Sequence, residues 1–528
     1  MAVLPKSLFV LGTSFQTALA SRRIKQKGAM ERAQQQQTFR RLLPKLAATQ
    51  FGRDTGLEPG LDYEKFRARV PLRSYEQLAP WIDRMVRGEA DVLWPGRCAL
   101  YVLTSGTTTG QPRRLPVSEE MLTHFRAATR AAMLCYTSRV GHAGVLRGRH
   151  LLLSGSTELT PLTTPPVPPA FGGDLATMLT LSLPRWAEQH LYEPGSELAR
   201  QPDSAEKIAA IIARTRRLDL SLVAGRPPRL LEFAEALAEQ RTGTEPATLQ
   251  SLWPNLECLV LGGTVLSPYH DALRRAAGAG VRFHEVYAAA EGMFAAQDGE
   301  PALGLRLLAD LGLFFEFLPL ALYDESLPAG LGARALPLHE VRAGEDYVLL
   351  LTTPGGLCRY VCGDIVRFLS TEPPRLVFAG RTRTQLTAFG EHVAERDLTE
   401  ALVSICQKHA WSITHFHVAP LFLPSRTGTS RGGHEWWVEL RPGTVATPTG
   451  PILAGHLDQE LCSRHEGYRA KRRSGAMEAP VVRLVMPGFF AHWLQHHAAR
   501  LSATEVPRSR SDRRIADNLT ALACFNPD

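Results

Sequence analysis

The segment Thr104–Pro116, with the sequence TSGTTTGQPRRLP, combines glycines, hydroxyl side chains and two adjacent arginines. Glycine lets the backbone adopt dihedral angles in which successive N–H groups converge on an anion. The hydroxyl groups add neutral donors, and Arg113 and Arg114 add positive charge. The segment therefore predicts a phosphate-binding loop, and the alternative is a plain polar turn. It is not a Walker P-loop, because no Gly-Lys-Ser/Thr follows the first glycine at the required spacing.

Two further fragments follow apolar strands. Val260–Ser267 has the sequence VLGGTVLS, and its glycines let the backbone at Gly263 and Thr264 lie close to a flat ring. The fragment VYAAAEG contains Tyr287, which can stack on a purine, and Glu291, which can bind Mg²⁺ at phosphates. The alternative for Glu291 is a carboxylate at the start of a helix, where the helix dipole favours negative charge.

The last two fragments are RYVCGDIVRF and FAGRTRTQL, which contain Asp364 and Arg381. A carboxylate such as Asp364 can accept hydrogen bonds from both ribose hydroxyls, as acidic residues do in dinucleotide sites. Arg381 is a candidate to assist it. Gly-Asp and Gly-Arg dipeptides are common, so this prediction depends on their order after a phosphate-type loop.

Strands must bring these fragments together. Predicted strands that end at Gly225, at Leu261 and at Tyr287 alternate with predicted helices over Pro228–Gln240 and Pro268–Ala277. This order is typical of a parallel sheet with helical crossovers. Because ligands gather outside the carboxyl ends of such strands, we expect the fragments to meet at that edge.

The pattern changes toward the C-terminus. Short loops between later strands indicate an antiparallel subdomain, with strands over Tyr347–Thr352, Arg359–Val361 and Arg375–Phe378. A separate α+β pattern follows. The predicted fold class is therefore α/β, with a large N-terminal domain (1–383) of mixed or parallel sheets flanked by helices. A small C-terminal α+β domain (384–528) completes the prediction.

Composition limits the function classes. The chain has 528 residues, 60 of them basic and 52 acidic, for a net charge of +8 that suggests affinity for anions. The basic residues are scattered and no aromatic-basic motif is present, so we expect no nucleic-acid partner. No apolar run is long enough to span a membrane, and eight spread cysteines argue against a disulfide framework. The expected location is the cytoplasm, with a signal peptide in Met1–Ala20 as the alternative.

Taken in order, the fragments TSGTTTGQP, LGG, YAAAE, GD and GR resemble those of the adenylate-forming enzyme superfamily. The chain more closely resembles the Gretchen Hagen family of auxin-responsive acyl-acid amido synthetases, especially its bacterial members. Further matching phrases lie at Val70–Gly96, Gly390–Leu398, Leu457–Leu461 and Val506–Leu519. The resemblance extends from about Phe39 to Leu519.

The resemblance implies an ATP-dependent ligase that activates a carboxylic acid as acyl-AMP and joins it to an amine, commonly of an amino acid. ATP and Mg²⁺ are the implied cofactors. Tyr287 would lie by the adenine, Glu291 would bind Mg²⁺, and Asp364 and Arg381 would hold the ribose. The small domain would turn about a linker near Arg381 between the two half-reactions. Phosphate would be gripped by Ser105, Gly106, Thr107 and Thr108.

The chain departs from the family pattern at three positions where the family has lysine. Arg113 keeps the positive charge, whereas His392 and Glu505 do not. A carboxylate beside an α-phosphate is repelled and costly to desolvate, so Glu505 either points away or belongs to an enzyme with an altered mechanism. A further hypothesis is that another cation takes the role of the missing lysine. The candidates for that role are Lys471, Arg469 and Arg508.

These departures leave two alternatives open. One is an enzyme that passes its acyl-adenylate to a thiol, and the other is a non-catalytic protein that binds a nucleotide or an acid. Small-molecule carboxylic acids and amines are the expected partners, without an expectation for the oligomeric state. We expect part of the acid pocket in the proline-rich segment Glu158–Leu183, with a surface loop as the alternative.

Overall fold

The computed structural model of the chain describes residues 29–104, 113–240, 248–384, 386, 388–389, 391, 393–423, 431–441, 447–501 and 506–525. The chain divides into two compact units. The first contains the described residues up to Thr104, those of Arg113–Cys362, and Val366–Val377. The second contains Gly363–Ile365 and the described residues from Phe378 onward. The predicted boundary between residues 383 and 384 stays a prediction.

The strands of the first unit form two sheets. A four-stranded sheet has the order β2-β1-β5-β4, and a twelve-stranded sheet has the order β13-β12-β14-β15-β16-β11-β10-β9-β8-β7-β3-β6. Within β15 and β16, Gly363–Ile365 and Phe378–Arg381 are grouped with the second unit. The strands are β1 (Leu100–Thr104), β2 (Arg113–Val117), β3 (Arg149–Leu153), β4 (Thr160–Pro161), β5 (Phe171–Gly173), β6 (Tyr192–Glu193), β7 (Leu220–Gly225), β8 (Cys258–Leu261), β9 (Arg282–Ala289), β10 (Gly292–Ala296), β11 (Leu305–Leu307), β12 (Phe314–Pro319), β13 (Leu336–Pro337), β14 (Asp346–Thr352), β15 (Tyr360–Thr371) and β16 (Pro374–Arg381).

The predicted parallel sheet is confirmed in β3, β7, β8 and β9, which pair in parallel. Leu261 at the end of β8 lies opposite Glu285 of β9, so the carboxyl ends of these strands lie at one edge. One face of the sheet packs on a cluster that includes Val223, Leu259 and Phe233. Burial of this apolar face stabilises the edge at which the glycine-rich ends lie.

Helices pack against both faces of the parallel strands and make the crossovers between them. None of the helices in the described residues is long and apolar enough to cross a membrane. The helices of the first unit are α1 (Ala29–Ala47), α2 (Gln50–Asp54), α3 (Tyr63–Arg69), α4 (Tyr75–Val86), α5 (Glu119–Val140), α6 (Leu175–Leu181), α7 (Arg185–His190), α8 (Ser196–Arg200), α9 (Ala205–Thr215), α10 (Pro227–Glu239), α11 (Leu249–Leu252) and α12 (His270–Ala277).

The later strands do not make a subdomain of their own. The three strands that the sequence predicts there are present as β14, β15 and β16, but they continue the large sheet. The join is antiparallel: β9 turns directly into β10, and β10 pairs with β11, which in turn pairs with β16. A sheet extended by hairpins buries the strand edges that a separate subdomain would expose.

The second unit has the predicted α+β pattern. Its strands are β17 (Ile413–Leu423), β18 (Arg431–Leu440) and β19 (Val481–Val485), in the order β17-β18-β19. Trp436 and Val438 of β18 pack with Leu402 and Leu457 in its core. Its helices are α13 (Glu395–Lys408), α14 (Gly450–Arg464), α15 (Glu466–Arg473), α16 (Phe489–Leu501) and α17 (Arg514–Phe525).

Three buried histidines make the fold sensitive to acid. Burial lowers the pKa of His124 to about 4, that of His284 to about 3 and that of His417 to about 4. In the unfolded chain these rings bind protons near pH 6.5, so the unfolded state takes up more protons between that pH and about 4. The stability is therefore full above about pH 6.5 and is lost as the pH falls toward 4.

We expect the melting temperature to fall steadily as the pH is lowered from 6.5 to 4, with each histidine adding up to about 1.4 kcal/mol per pH unit. His284→Leu removes one of the groups that bind a proton in the unfolded chain, so the melting temperature should depend less on pH. The half-exposed His270, which pairs with Asp271, provides the control His270→Gln. If the parent and His284→Leu share one pH profile, the explanation is wrong.

Candidate active site

The guanidinium of Arg113, one of the predicted site residues, contacts a buried tyrosine, Tyr360, and the charge of a second, Glu291, acts on the same tyrosine. Arg113 begins β2 opposite Thr104 of β1, and Tyr360 begins β15. Glu291 lies in the tight turn between β9 and β10. The guanidinium of Arg113 donates a hydrogen bond from Nη1 to the Tyr360 hydroxyl at 3.5 Å. The four-stranded and the twelve-stranded sheets therefore contribute to one cluster.

The electrostatics of Tyr360 show that both charges act on it. Burial raises the pKa of its hydroxyl well above the usual range, and the negative charge of Glu291 raises it further. The positive charge of Arg113 acts in the opposite direction. Tyr360 therefore stays protonated at neutral pH, as a neutral hydroxyl under the influence of an anion and a cation.

Two residues at the start of α4 also hold Arg113. Its Nη2 lies 3.3 Å from Oε1 of Glu76, and its guanidinium carbon lies 5.2 Å from the centre of the Tyr75 ring. The next residue, Arg114, pairs with Asp83 on the same helix at 2.5 Å. The arginine pair after the predicted phosphate loop is thus fixed against α4.

The turn with Glu291 is fixed by His124 of α5. The backbone N–H of Met293 donates to Nε2 of His124 at 3.1 Å, and Nδ1 lies 2.8 Å from the Leu311 carbonyl oxygen. Nε2 must therefore be unprotonated, and Nδ1 carries the proton. Gly292 has φ +154°, and a side chain there would collide with His124 and Leu313. The helix-start alternative for Glu291 is therefore wrong, because the chain turns back as a hairpin.

Gly263, Thr264 and Tyr287 lie at the carboxyl ends of β8 and β9 or just beyond them. A Cβ on Gly262 would approach the Val286 carbonyl oxygen to 2.9 Å, so glycine is required for this close approach. Gly263 has φ +80°, which also favours glycine. The Tyr287 ring is buried and packs edge-on against Phe294 at 5.0 Å.

Asp364 and Arg381, the predicted ribose ligands, pair with each other in the second unit. Nε of Arg381 lies 3.3 Å from Oδ1 of Asp364. Asp364 is buried, whereas the Arg381 side chain is 55% exposed. The backbone N–H of Arg381 donates to the Thr384 hydroxyl at 3.1 Å, which fixes the end of β16.

The remaining candidate residues are either on separate elements or outside the described residues. Lys471 and Arg469 lie on α15, where Arg469 pairs with Glu466. The Arg508 guanidinium lies 5.8 Å from the Phe416 ring. The predicted roles stay predictions for the candidates that the structure does not describe, which are Ser105, Gly106, Thr107, Thr108, His392 and Glu505.

An apolar cavity of about 660 Å³ lies between α5, α7 and one face of the parallel strands. Of the predicted acid-pocket segment, only Ser182 and Leu183 line it, and Phe171 lies in β5 instead. Arg126 and Arg130 of α5 are its cations. Its apolar lining includes Met133, Leu134, Leu146, Leu151, Leu152, Leu183, Trp186, Leu191, Leu222 and Ala224.

The carboxylates present fit a Mg²⁺ ion that is bound mainly by phosphates. Among the described residues, no group of three or more His, Cys, Asp or Glu side chains could hold a metal ion by itself. Mg²⁺ at phosphates usually needs only one or two protein carboxylates and keeps several waters. Glu291, buried at a strand turn, can serve as such a carboxylate.

Sequence reasoning missed Tyr75, Glu76, His124 and Tyr360. Tyr75 and Glu76 lie within the phrase at Val70–Gly96 that matches the family, and this match was their only signal. Tyr360 lies within the fragment RYVCGDIVRF, but the sequence assigns it no role, because its hydroxyl is reached from a distant strand.

Comparisons with known proteins agree with this architecture. Three family models match the chain: the GH3 family N-terminal domain at residues 20–168, the central domain at 306–381 and the C-terminal domain at 396–513. A probable indole-3-acetic acid-amido synthetase GH3.12 of Oryza sativa subsp. japonica is 25% identical, covering 88% of either chain. The jasmonoyl–L-amino acid synthetase JAR4 of Nicotiana attenuata is 24% identical, covering 90% of either chain.

Solved structures show the same fold. The AtGH3.15 acyl acid amido synthetase in complex with 2,4-DB has a TM-score of 0.73 and 18% identity, covering 93% of either chain. A 2-hydroxyisobutyryl-CoA ligase in the postadenylation state has a TM-score of 0.58 and 15% identity, covering 93% of this chain and 91% of the ligase. The fold class is thus confirmed as that of adenylate-forming enzymes. Because the three family models together match more than half of its residues, the chain belongs to the GH3 family.

Proposed function

We propose that this protein is an ATP-dependent acyl-acid amido synthetase. It activates a carboxylic acid as acyl-AMP and then joins the acyl group to an amine, such as that of an amino acid. The observation that supports this most directly is the cluster of Arg113, Tyr360 and Glu291. It combines a fixed cation next to a glycine- and threonine-rich segment with a buried carboxylate, and a polyphosphate with its metal ion needs both.

In the first step, a carboxylate oxygen of the acid attacks the α-phosphorus of ATP. The bond from that phosphorus to the bridging oxygen breaks, and pyrophosphate leaves with the electron pair. Negative charge builds on the phosphate oxygens, so a positioned cation stabilises the transition state more than the ground state. Arg113 supplies that charge, and Glu291 would hold Mg²⁺, which neutralises phosphate charge when bound.

In the second step, the amine nitrogen attacks the acyl carbon. The carbon–oxygen bond to AMP breaks, AMP leaves with the electron pair, and the nitrogen loses a proton. Asp364 and Arg381 would bind the ribose, and Tyr287 would lie by the adenine. The pair of Asp364 with Arg381 supports the ribose role, because the guanidinium fixes the position of a carboxylate whose oxygens can accept hydrogen bonds from ribose hydroxyls.

The acid would be an apolar one. The cavity of about 660 Å³ is lined mainly by apolar side chains, and its two arginines, Arg126 and Arg130, can hold a carboxylate. Burial of an apolar acid there gains about 25 cal/mol for each Å² of apolar surface removed from water. A small polar acid gains little of this energy. The apolar lining therefore supports an aromatic or long aliphatic acid as the substrate class.

Acid-dependent exchange of pyrophosphate into ATP tests the proposal. We expect exchange with aromatic or long-chain carboxylic acids and little with acetate, because acetate leaves the apolar cavity unfilled. Mass spectrometry should then find an amide when amino acids are added. If a thioester forms when a thiol is added, and no amide forms, the protein is the alternative enzyme that passes its acyl-adenylate to a thiol. If ATP binds but no acid supports exchange, the protein is the non-catalytic alternative.

A further inference from the structure

The guanidinium of Arg113 has three neighbours that come from two other elements. Tyr360 of β15 accepts from Nη1 at 3.5 Å, and Glu76 of α4 accepts from Nη2 at 3.3 Å. The ring of Tyr75 lies 5.2 Å from the guanidinium carbon. Only 18% of the Arg113 side chain is exposed. We call Tyr75, Glu76 and Tyr360 the arginine clamp.

The clamp suits arginine and does not suit lysine. A guanidinium is planar, presents its donors in a rigid fork and can lie over an aromatic ring. It can therefore contact Glu76 with one terminal nitrogen and Tyr360 with the other. A lysine ammonium is a point charge on a flexible stem, so it lacks both the rigid fork and the planar face that lies over the Tyr75 ring. The structure thus explains why Arg113 can stand at a position where the family has lysine.

The clamp residues are themselves fixed. The Tyr75 hydroxyl accepts from the backbone N–H of Arg114 at 2.9 Å, which ties α4 to the start of β2. Tyr360 is fully buried, and its backbone pairs with Arg73. The preceding residue, Arg359, donates hydrogen bonds to the Arg67, Val70 and Gly332 carbonyl oxygens. A clamp with fixed members can orient Arg113 before any ligand binds.

We propose that Tyr75, Glu76 and Tyr360 are positioning residues that orient Arg113 for a phosphate group of ATP. The inference depends on the phosphate role that the proposed function gives to Arg113. The clamp removes rotational freedom from a long side chain in advance, so that less entropy is lost when the phosphate binds.

Calorimetry of ATP binding with Mg²⁺ and without acid tests the clamp. Arg113→Ala should weaken ATP binding more than tenfold, and Arg113→Lys should recover only part of the loss. Tyr360→Phe and Glu76→Leu should each weaken it about three- to tenfold, because each removes one hydrogen-bond acceptor of Arg113. The control Tyr136→Phe also removes a buried tyrosine hydroxyl, one that donates to Glu257, and should bind ATP as the parent does.

The decisive measurement is a double-mutant cycle. If Tyr360 acts through Arg113, then Tyr360→Phe has no further effect in the Arg113→Ala background. Independent, multiplying effects of the two substitutions would overturn the inference, and so would full recovery by Arg113→Lys. If the parent does not exchange pyrophosphate, the proposed function is refuted. If its ATP affinity still depends on Arg113, the positioning role of the clamp is nevertheless supported. A parent that binds no ATP would refute both.

Discussion

Glu291→Gln is expected to slow acid-dependent ATP–pyrophosphate exchange by about 100-fold or more, since Mg²⁺ would lose its charged protein ligand at the phosphates. Glutamine keeps the size and the polarity of the side chain, and the hairpin is held independently by the bond from the Met293 N–H to His124. The fold should therefore survive. Raising the Mg²⁺ concentration should recover part of the rate, because a weakened ligand set still binds the ion at higher concentration.

Glu300→Gln is the matched control, since Glu300 is an exposed carboxylate beyond the end of β10. It should leave exchange and its Mg²⁺ dependence unchanged. An exchange rate in Glu291→Gln within threefold of the parent would contradict the proposed metal role. In that case Glu291 would act only on the ionisation of Tyr360, whose pKa it raises.

The second large effect concerns stability. Arg359 and Glu316 form a buried ion pair, with Nη2 to Oε1 at 2.8 Å and Nε to Oε2 at 3.1 Å. The Tyr63 hydroxyl donates to the same carboxylate at 3.1 Å. We expect Glu316→Leu to lower the free energy of unfolding by about 3–5 kcal/mol, because it leaves a guanidinium buried without a counter-charge. Urea unfolding followed by circular dichroism measures the loss.

The double variant Glu316→Leu with Arg359→Met distinguishes the cost of an uncompensated buried charge from the cost of lost packing. Removing both charges should restore part of the stability, because no uncompensated charge then remains buried. The restoration is partial, since three backbone carbonyls lose the donors of Arg359. Glu340→Gln, at a partly exposed pair with Arg67, should cost less than about 1 kcal/mol. A double variant less stable than Glu316→Leu would contradict the explanation.

Arg359 also shows how side-chain bonding can override a backbone preference. Its φ is +48°, in the left-handed region that bulky residues avoid at a cost of about 1–2 kcal/mol. Each nitrogen of its guanidinium finds an acceptor, which offsets that cost. The residue immediately before Tyr360 is thus fixed by contacts that no local pattern encodes.

Local signals in the sequence are sufficient to predict the parallel sheet. Apolar runs ended by Gly225 and by Gly262 mark strand ends, and the amphipathic helices between them require crossovers. The same signals place Gly263, Thr264 and Tyr287 at the carboxyl edge, as observed. The continuation of that sheet by antiparallel strands was not predictable, because strand pairing across long loops leaves no periodic trace.

The site was predictable in part. Glu291 stands next to Gly292, and Arg113 follows a segment rich in glycine and hydroxyl residues, which mark turns near phosphates. Tyr360 reads as an ordinary core aromatic residue, and only the meeting of two sheets gives its hydroxyl a partner. The apolar cavity could not be located from the sequence, because its walls are α5, α7 and strands that meet only in three dimensions.

The wide separation of the clustered residues has a consequence during biosynthesis. Arg113, Glu291 and Tyr360 are far apart along the chain and have no shared neighbour until β15 exists. A nascent chain that has completed β14 but not β15 therefore contains every parallel strand of the large sheet. Its cluster of Arg113, Glu291 and Tyr360 is still incomplete, because Tyr360 lies in β15. Premature termination there yields a protein in which Arg113 keeps Tyr75 and Glu76 as neighbours but lacks Tyr360. Such a product also exposes the bare edge of β14, a surface that favours aggregation.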